Sequence, residues 1–283
     1  MSKTPKITVI TVVFNDAAGL RRTSSSVLAQ DYPDIEYLII DGASQDNTRE
    51  VLAGLESHPC VRVISEPDRG IYDAMNKGIR LATGDWLNFM NAGDCFYADN
   101  VLSRVFSRDY TDNTVIIGGD IVAVWKQELK SSLQAAGAAG YHGIGMPCCH
   151  QAAFIRRTRH LEHFYQWDKY PISADCAAFM AMCREGKGFH YVNEIIAWFD
   201  ADGISSHQSY AATREVEGIP HTKQELVRAY LNQVISRILS LLPAVLSEKL
   251  QRFRLRRNGW IHLSASDKNR LAEYQRSLPL KNI

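Results

Sequence analysis

Asp41, Asp68, Asp94 and Asp175 are the residues of this chain best suited to chemistry, because each carboxylate sits where an apolar run breaks. Asp41 follows Ile35–Ile40 and precedes Gly42-Ala-Ser44. A carboxylate there can accept from a base N–H or a ribose hydroxyl, or it can close a turn. Asp68 and Arg69 follow Pro67 and precede Gly70, and an arginine in such a loop can hold a diphosphate through charge-assisted bonds or remain a surface charge. Asp94 ends Asn91-Ala-Gly-Asp94, after the apolar run Trp86–Met90. It offers a hard oxygen ligand of the kind Mg²⁺ or Mn²⁺ takes in small number. Asp175 lies in Ile172-Ser-Ala-Asp-Cys-Ala-Ala-Phe179, an apolar helix start. The helix N-terminus favours the anion there, while burial raises its pKa toward a value useful to a general base; a plain N-cap is the other reading.

These groups need a scaffold, and the hydrophobic pattern supplies one. Lys6–Phe14 is β-branched and apolar on both faces, as in a central parallel strand. Ala18–Ala29 predicts a helix, Ile35–Ile40 a strand, Ser44 or Asp46 to Leu55 a helix, and Cys60–Ser65 a third strand. The helix from Ile71 to about residue 82 ends at Thr83-Gly84-Asp85, with Gly84 expected as a left-handed cap. The alternation β-α-β-α-β-α-β predicts a doubly wound, mostly parallel sheet of Rossmann-like α/β type. Carboxylates at strand C-terminal ends then lie where such sheets bind ligands, and Thr11, Val13 and Asn15 at the end of strand one line the same pocket. Further on, Asp99–Phe106 and Asp175–Arg184 read as helices. Thr114–Val124, His150–Ile155 and Tyr191–Phe199 read as strands, and 126–146 as an Ala/Gly-rich loop or hairpin. Lys77 and Arg80 are expected as solvated charges.

Net charge is +1 overall but unevenly spread: residues 1–219 hold 20 Lys/Arg against 27 Asp/Glu, and residues 220–283 hold 12 against 4. The basic tail is where an anionic surface would be met. Glu225–Leu242 predicts a helix, and Val245–Leu255 a second, carrying Lys249, Arg252, Arg254, Arg256 and Arg257 nearby. That pattern suits an interfacial helix as well as packing on the body. Six cysteines without framework spacing and with no Cys-x-x-Cys suggest reduced thiols in a cytoplasm. No run is long enough for a membrane span, and Ile7–Phe14 is too short for a secretory signal. A Gly-x-Gly-x-x-Gly after the first strand is absent, which argues against a dinucleotide dehydrogenase. Asn15-Asp16-Ala-Ala-Gly19 lacks the basic residues of a nucleotidyltransferase loop.

The block Glu-Pro-Asp-Arg-Gly-Ile-Tyr-Asp-Ala-Met-Asn-Lys-Gly (66–78), with Gly-Asp (84–85) and Asn-Ala-Gly-Asp (91–94), resembles the inverting family 2 glycosyltransferases of GT-A fold. It is especially similar to the bacterial exopolysaccharide branch, including the colanic-acid type. The resemblance covers roughly residues 5 to 207. It implies a glycosyltransferase domain over 1–218, with a nucleotide-sugar half (1–100) and an acceptor half (101–218), and a basic helical tail over 219–283. It implies that Asp41 contacts the nucleotide base and Asp175 deprotonates the acceptor hydroxyl. Asp68, facing the nucleoside, Arg69 and Asn91 join the implied nucleotide-sugar site. Where the family commonly has Asp-x-Asp or Asp-Asp this chain keeps only the last carboxylate, and Asp94 and His207, of Gly203-Ile-Ser-Ser-His207, are the implied metal ligands for Mg²⁺ or Mn²⁺. His150-Gln151 matches a segment near the acceptor. Asn91, Gly93 and Met75 depart from the family's usual residues. The implied partners are a nucleoside diphosphate sugar, a glycan or polyprenyl-linked glycan and an anionic membrane surface, with no nucleic acid. The implied location is the inner face of the plasma membrane. Two alternatives are a transferase acting on polyprenyl phosphate itself and a catalytically weak partner in a polysaccharide complex.

Overall fold

The computed structural model describes residues 4–125, 130–134, 146–184, 188–200, 215 and 219. The first half runs β1 (Ile7–Val13), α1 (Ala17–Leu28), β2 (Ile35–Asp41), α2 (Thr48–Leu55), β3 (Val61–Ser65), α3 (Ile71–Leu81) and β4 (Trp86–Phe89). The second half adds β5 (Cys95–Phe96), α4 (Val101–Val105), β6 (Thr114–Trp125), β7 (Lys130–Gln134), a 3₁₀ turn (His150–Ala152) and β8 (Ala153–Arg156). It closes with α5 (Arg157–His160), α6 (Ala174–Arg184) and β9 (Gly188–Asp200). The expected tail helices and His207 fall outside the described residues, as do residues 126–129 and 135–145 of the expected 126–146 loop or hairpin; within it β7 pairs antiparallel with β6.

The nine strands among the described residues join one sheet in the order β3-β2-β1-β4-β8-β6-β9-β5, with β7 on β6. β1 pairs in parallel with β2 and β4, and β2 with β3, so the expected doubly wound parallel half is present. β8 enters between β4 and β6, antiparallel to both. The two sequence halves therefore share one sheet, and β8 begins on the edge where β1, β2 and β4 end.

Alternating residues explain the two-sided burial. Ile7 and Val9 of β1 and Tyr37 and Ile39 of β2 join one core with α1 and α2. Ile10, Leu38 and Ile40 join the other, with Met75 and Ile79 of α3 and Phe179 of α6. Burying each such side chain stabilises the fold by about 1.5–3 kcal/mol. Tyr37 brings a hydroxyl into the core, and Thr11 Oγ1 at 3.0 Å and Ser24 Oγ at 3.1 Å satisfy it.

Gly84 departs from expectation. It is not left-handed: α3 leaves through Ala82 in extended conformation. A Cβ on Gly84 would stand 2.6 Å from the backbone N of Thr8 and 2.9 Å from the carbonyl oxygen of Lys6. Close approach of β1, rather than a cap, excludes a side chain there. His150–Ala152, read as the start of a strand, forms a 3₁₀ turn instead, with Ala152 N–H bonded to Cys149 O.

Candidate functional site

The C-terminal ends of β1 and β2 are laced together. Asn15, at φ 51°, donates its N–H to Ser44 Oγ at 2.8 Å and accepts from Gln45 N at 2.8 Å through Oδ1. Its short polar side chain tolerates that left-handed backbone. Asp41 ends β2 fully buried, and its carboxylate accepts from Ser44 N, Ser44 Oγ and Ser65 Oγ. Asp41 thus ties the loop after β2 to the end of β3. Thr11 and Val13 point into the core, Thr11 donating to Met90 O at 2.7 Å, so Asn15 is the one of the three that is exposed. Asp46 accepts from Thr48 N at 3.0 Å at the start of α2.

Asp68 leans on this corner. A Cβ on Gly42 would lie 2.6 Å from Asp68 Oδ2 and 3.2 Å from Phe14 Cδ2. Phe14, not among the expected site residues, is 64% exposed and offers an aromatic face at the same corner. The signal was present: the apolar run of β1 continues one residue past the point where the sheet can bury it. Arg69 is exposed, bonded through its N–H to Asp73 at 3.0 Å, and its guanidinium lies 4.6 Å over the ring of Trp167. Lys77 is no plain solvated charge: it pairs with Glu66 at 3.0 Å and donates to Pro67 O at 2.7 Å, pinning the loop before α3. Arg80 lies over Phe164.

After β4 the chain turns through Asn91 to Asp94, with Gly93 at φ 100°. Asp94 is 5% exposed; Gln151 Nε2 donates to its Oδ2 at 2.9 Å and Asp200 N to its Oδ1 at 2.8 Å. Asn91 Oδ1 is buried without a hydrogen-bond partner among the described residues. Such an orphaned oxygen suits a hard cation, and with Asp94 it supplies two oxygen ligands, enough for an ion that keeps phosphate and water ligands. Among the described residues there is no cluster of three His, Cys, Asp or Glu able to hold a metal. The carboxylate of Asp200, at the end of β9, lies 3.7 Å from the position of a Cβ on Gly93. Sequence spacing could not bring it to a turn 106 residues away; only the pairing of β5 with β9 does.

Asp175 sits in the first turn of α6 with 20% of its side chain exposed. Its Oδ1 accepts from Cys176 N at 2.8 Å and lies 2.9 Å from Tyr72 Oη, whose one proton is shared with Ile172 O at 2.6 Å. Burial pushes its pKa up, against the hydrogen bonds it accepts. Oδ2 faces His150 Nδ1 at 4.0 Å. His150 is buried under Phe89, which stacks on it at 5.0 Å, and burial pushes its pKa down to about 3, so the ring is neutral and the contact is no ion pair. The turn carrying His150 and Gln151 therefore places one residue against Asp175 and the next against Asp94. Both side chains are buried, so on this geometry they serve the two carboxylates.

The chain matches the family model described as glycosyl transferase family 2 over residues 8–185. It is 45% identical over 105 residues to an uncharacterized glycosyltransferase of Mycobacterium tuberculosis, covering 37% of this chain and 40% of that one. It is 31% identical over 159 residues to a PGL/p-HBAD biosynthesis glycosyltransferase of Mycobacterium bovis, covering 54% and 60%. The chain thus spans less than two thirds of the length of either relative. In fold it is similar to the mannosyltransferase PcManGT from Pyrobaculum calidifontis in complex with GDP-Man and Mn²⁺, with a TM-score of 0.59 and 17% identity, over 98% of this chain and 86% of that one. It is also similar to S. aureus TarS 1–349 in complex with UDP, with a TM-score of 0.58 and 12% identity, over 75% and 64%. These likenesses agree with the expected GT-A architecture.

Proposed function

The chain belongs to glycosyl transferase family 2, and from that premise we propose that it moves a sugar from a nucleoside diphosphate donor to a hydroxyl of a glycan, inverting the anomeric centre. The observation that carries this is the His150-Gln151 turn, which holds Asp175 and Asp94 from adjacent residues. Asp175 has one oxygen engaged and the other without a hydrogen-bond donor among the described residues, as a proton acceptor requires. It takes the proton of the acceptor hydroxyl as that oxygen attacks in line and the diphosphate departs.

On the donor side, Phe14 offers a face for the base, and Asp68 and Asn15 stand at the same corner. Arg69 is exposed, and its guanidinium would leave Trp167 and a 3.5 Å pairing with Asp73 to reach a phosphate. Among the described residues, Asp94 and Asn91 would hold Mg²⁺ or Mn²⁺, which would supply positive charge against the leaving diphosphate. The GDP-Man and Mn²⁺ named for one structural neighbour and the UDP named for another support a nucleotide-sugar donor.

The acceptor is a lipid-linked glycan in surface polysaccharide assembly, reached from the inner face of the membrane. The basic composition of residues 220–283 supports this placement. Thermal-shift measurements against UDP-, GDP- and dTDP-sugars, with and without Mn²⁺, test the donor half. One nucleotide class should raise the melting temperature, more so with metal. No shift with any of them would overturn the assignment.

A further inference from the structure

Behind Asp175 lies a run of buried polar side chains that the proposed reaction does not use directly. His150 Nε2 is 2.8 Å from Tyr165 Oη, and Tyr165 Oη is 2.9 Å from His160 Nε2. His160 Nδ1 is 3.2 Å from the carbonyl oxygen of His163. His160 is fully buried, Tyr165 is 2% exposed and His150 6%. Phe89 of β4 lies against all three rings, and Phe179 of α6 meets His150 edge-on. Asn76 of α3 fixes the backbone of Tyr165, donating to its carbonyl and accepting from its N–H, both at 2.9 Å.

Hydrogen-bond chemistry fixes every proton in this run. A carbonyl only accepts, so His160 carries its proton on Nδ1. Burial pushes the pKa of His160 down to about 3, so its Nε2 is bare and accepts. Tyr165, its pKa raised well above the ordinary value by burial, keeps its single proton and gives it to His160. The oxygen of Tyr165 must then accept from His150, so the proton of His150 sits on Nε2. The ring nitrogen left bare is Nδ1, the one that faces Asp175 Oδ2.

We infer that His160 and Tyr165 lock His150 in the tautomer with a bare Nδ1, making His150 a positioning residue that stabilises Asp175 once Asp175 has taken a proton. A bare nitrogen repels the carboxylate and accepts from the carboxylic acid, so it strengthens Asp175 as a base. As the acceptor O–H bond breaks, its electron pair goes to the anomeric carbon and its proton to Asp175. The carboxyl then closes on Nδ1, and a movement of about 1 Å brings the pair within hydrogen-bond range. The proton stays on Asp175, and the pair of the breaking glycosyl bond leaves with the diphosphate. The opposite tautomer would donate to the carboxylate and weaken the base.

Among the described residues the groups around this pair are few. Tyr72 of α3 shares its one proton between Ile172 O at 2.6 Å and Asp175 Oδ1 at 2.9 Å, and the Cys149 thiol beside both is pushed up to about 12 by burial and so stays protonated. Glu215 accepts from Ile172 N and Ser173 N ahead of α6. None of these supplies a proton to His150 Nδ1.

The inference rests on Asp175 being the base, and the test separates the two. Full-length protein labelled with ¹⁵N-histidine and ¹³C-carboxyl aspartate is read by NMR, with His150→Gln, His160→Gln and Asp175→Asn giving the assignments. His150 should be neutral with its proton on Nε2, and His160 neutral with its proton on Nδ1. In Tyr165→Phe, His150 Nε2–H loses its acceptor, and the proton moves to Nδ1, where it reaches the carboxylate. The Asp175 titration should then fall by about one pH unit, a tenfold loss of proton affinity. A protonated Nδ1 on His150 in the wild type overturns the inference without a variant. An Asp175 titration unchanged in Tyr165→Phe overturns it as well. Wild-type turnover in Asp175→Asn, with the tautomers as described, would instead remove Asp175 from the reaction and its partner with it.

Discussion

Asn76 offers the sharpest test of how the site is held. It lies on α3 with 4% exposure, and its amide makes both backbone bonds to Tyr165, a residue 89 positions away. Asn76→Ala deletes a donor and an acceptor at once and strands the N–H and carbonyl of Tyr165 in a buried place. A neutral hydrogen bond contributes about 1 kcal/mol net, and a stranded buried group costs about 1–3 kcal/mol. The expected loss is about 2–4 kcal/mol, a large part of the 5–15 kcal/mol typical of a domain. Equilibrium urea denaturation should show a lower midpoint with an unchanged slope. Asn76→Asp sharpens the test. The carboxyl still accepts from Tyr165 N–H but now turns an oxygen on Tyr165 O, so burial and that carbonyl raise its native pKa. The native state then binds more protons than the unfolded chain, and stability falls as pH rises from the ordinary carboxylate range through the raised value. The variant should therefore be less stable at pH 7 than at pH 5, relative to wild type. A loss below about 1 kcal/mol in Asn76→Ala, with no pH trend in Asn76→Asp, would refute the clamp.

Asp175→Asn should keep donor binding, measured by thermal shift, and lose about 10²–10⁴-fold in turnover. The raised native pKa of Asp175 contributes stability that is present below its ordinary pKa and lost as pH rises through the raised one, so the same variant should show a flatter stability profile in urea. Turnover should stop in EDTA and return with Mn²⁺, and Asp94→Asn should weaken metal-dependent donor binding; activity unchanged by both would exclude a metal at Asp94. Full-length protein should sediment with phosphatidylglycerol vesicles at low salt. Charge reversal at Arg252, Arg254, Arg256 and Arg257 should abolish this, since each basic residue adds about 1 kcal/mol near an anionic surface. Wild type staying in the supernatant at every salt concentration would make the segment a protein contact or a solvated tail.

The parallel half of the fold was legible because its signals are local. β1 and β2 are largely apolar on both faces, and α1, α2 and α3 start after Asp16, Asn47 and Gly70. Asp41, Asp94 and Asp175 stood out because each carboxylate interrupts such a pattern. What escaped depends on distant pairing. β5 is two residues long and exists by virtue of β9, and the 3₁₀ turn at His150 takes its shape from contacts with Asp94 and the ring cluster. The cap expected at Gly84 failed because the glycine answers to the Thr8 backbone, invisible from its neighbours in sequence. Tyr165 and His160 gave no signal, since a buried hydroxyl and a buried imidazole look like surface residues until the chain is folded.

The antiparallel entry of β8 has a bearing on how this enzyme could diversify. Because the strand begins where the parallel strands finish, two consecutive residues reach the two acids from a single backbone turn. A change that shifts this turn is felt by both acids together. On the proposed function, donor handling and acceptor activation are therefore mechanically yoked, and substitutions that retune one at residues 150–151 drag the other along. Freedom to adopt new acceptors must then come from segments that leave this turn, and the Tyr165 ring behind it, in place.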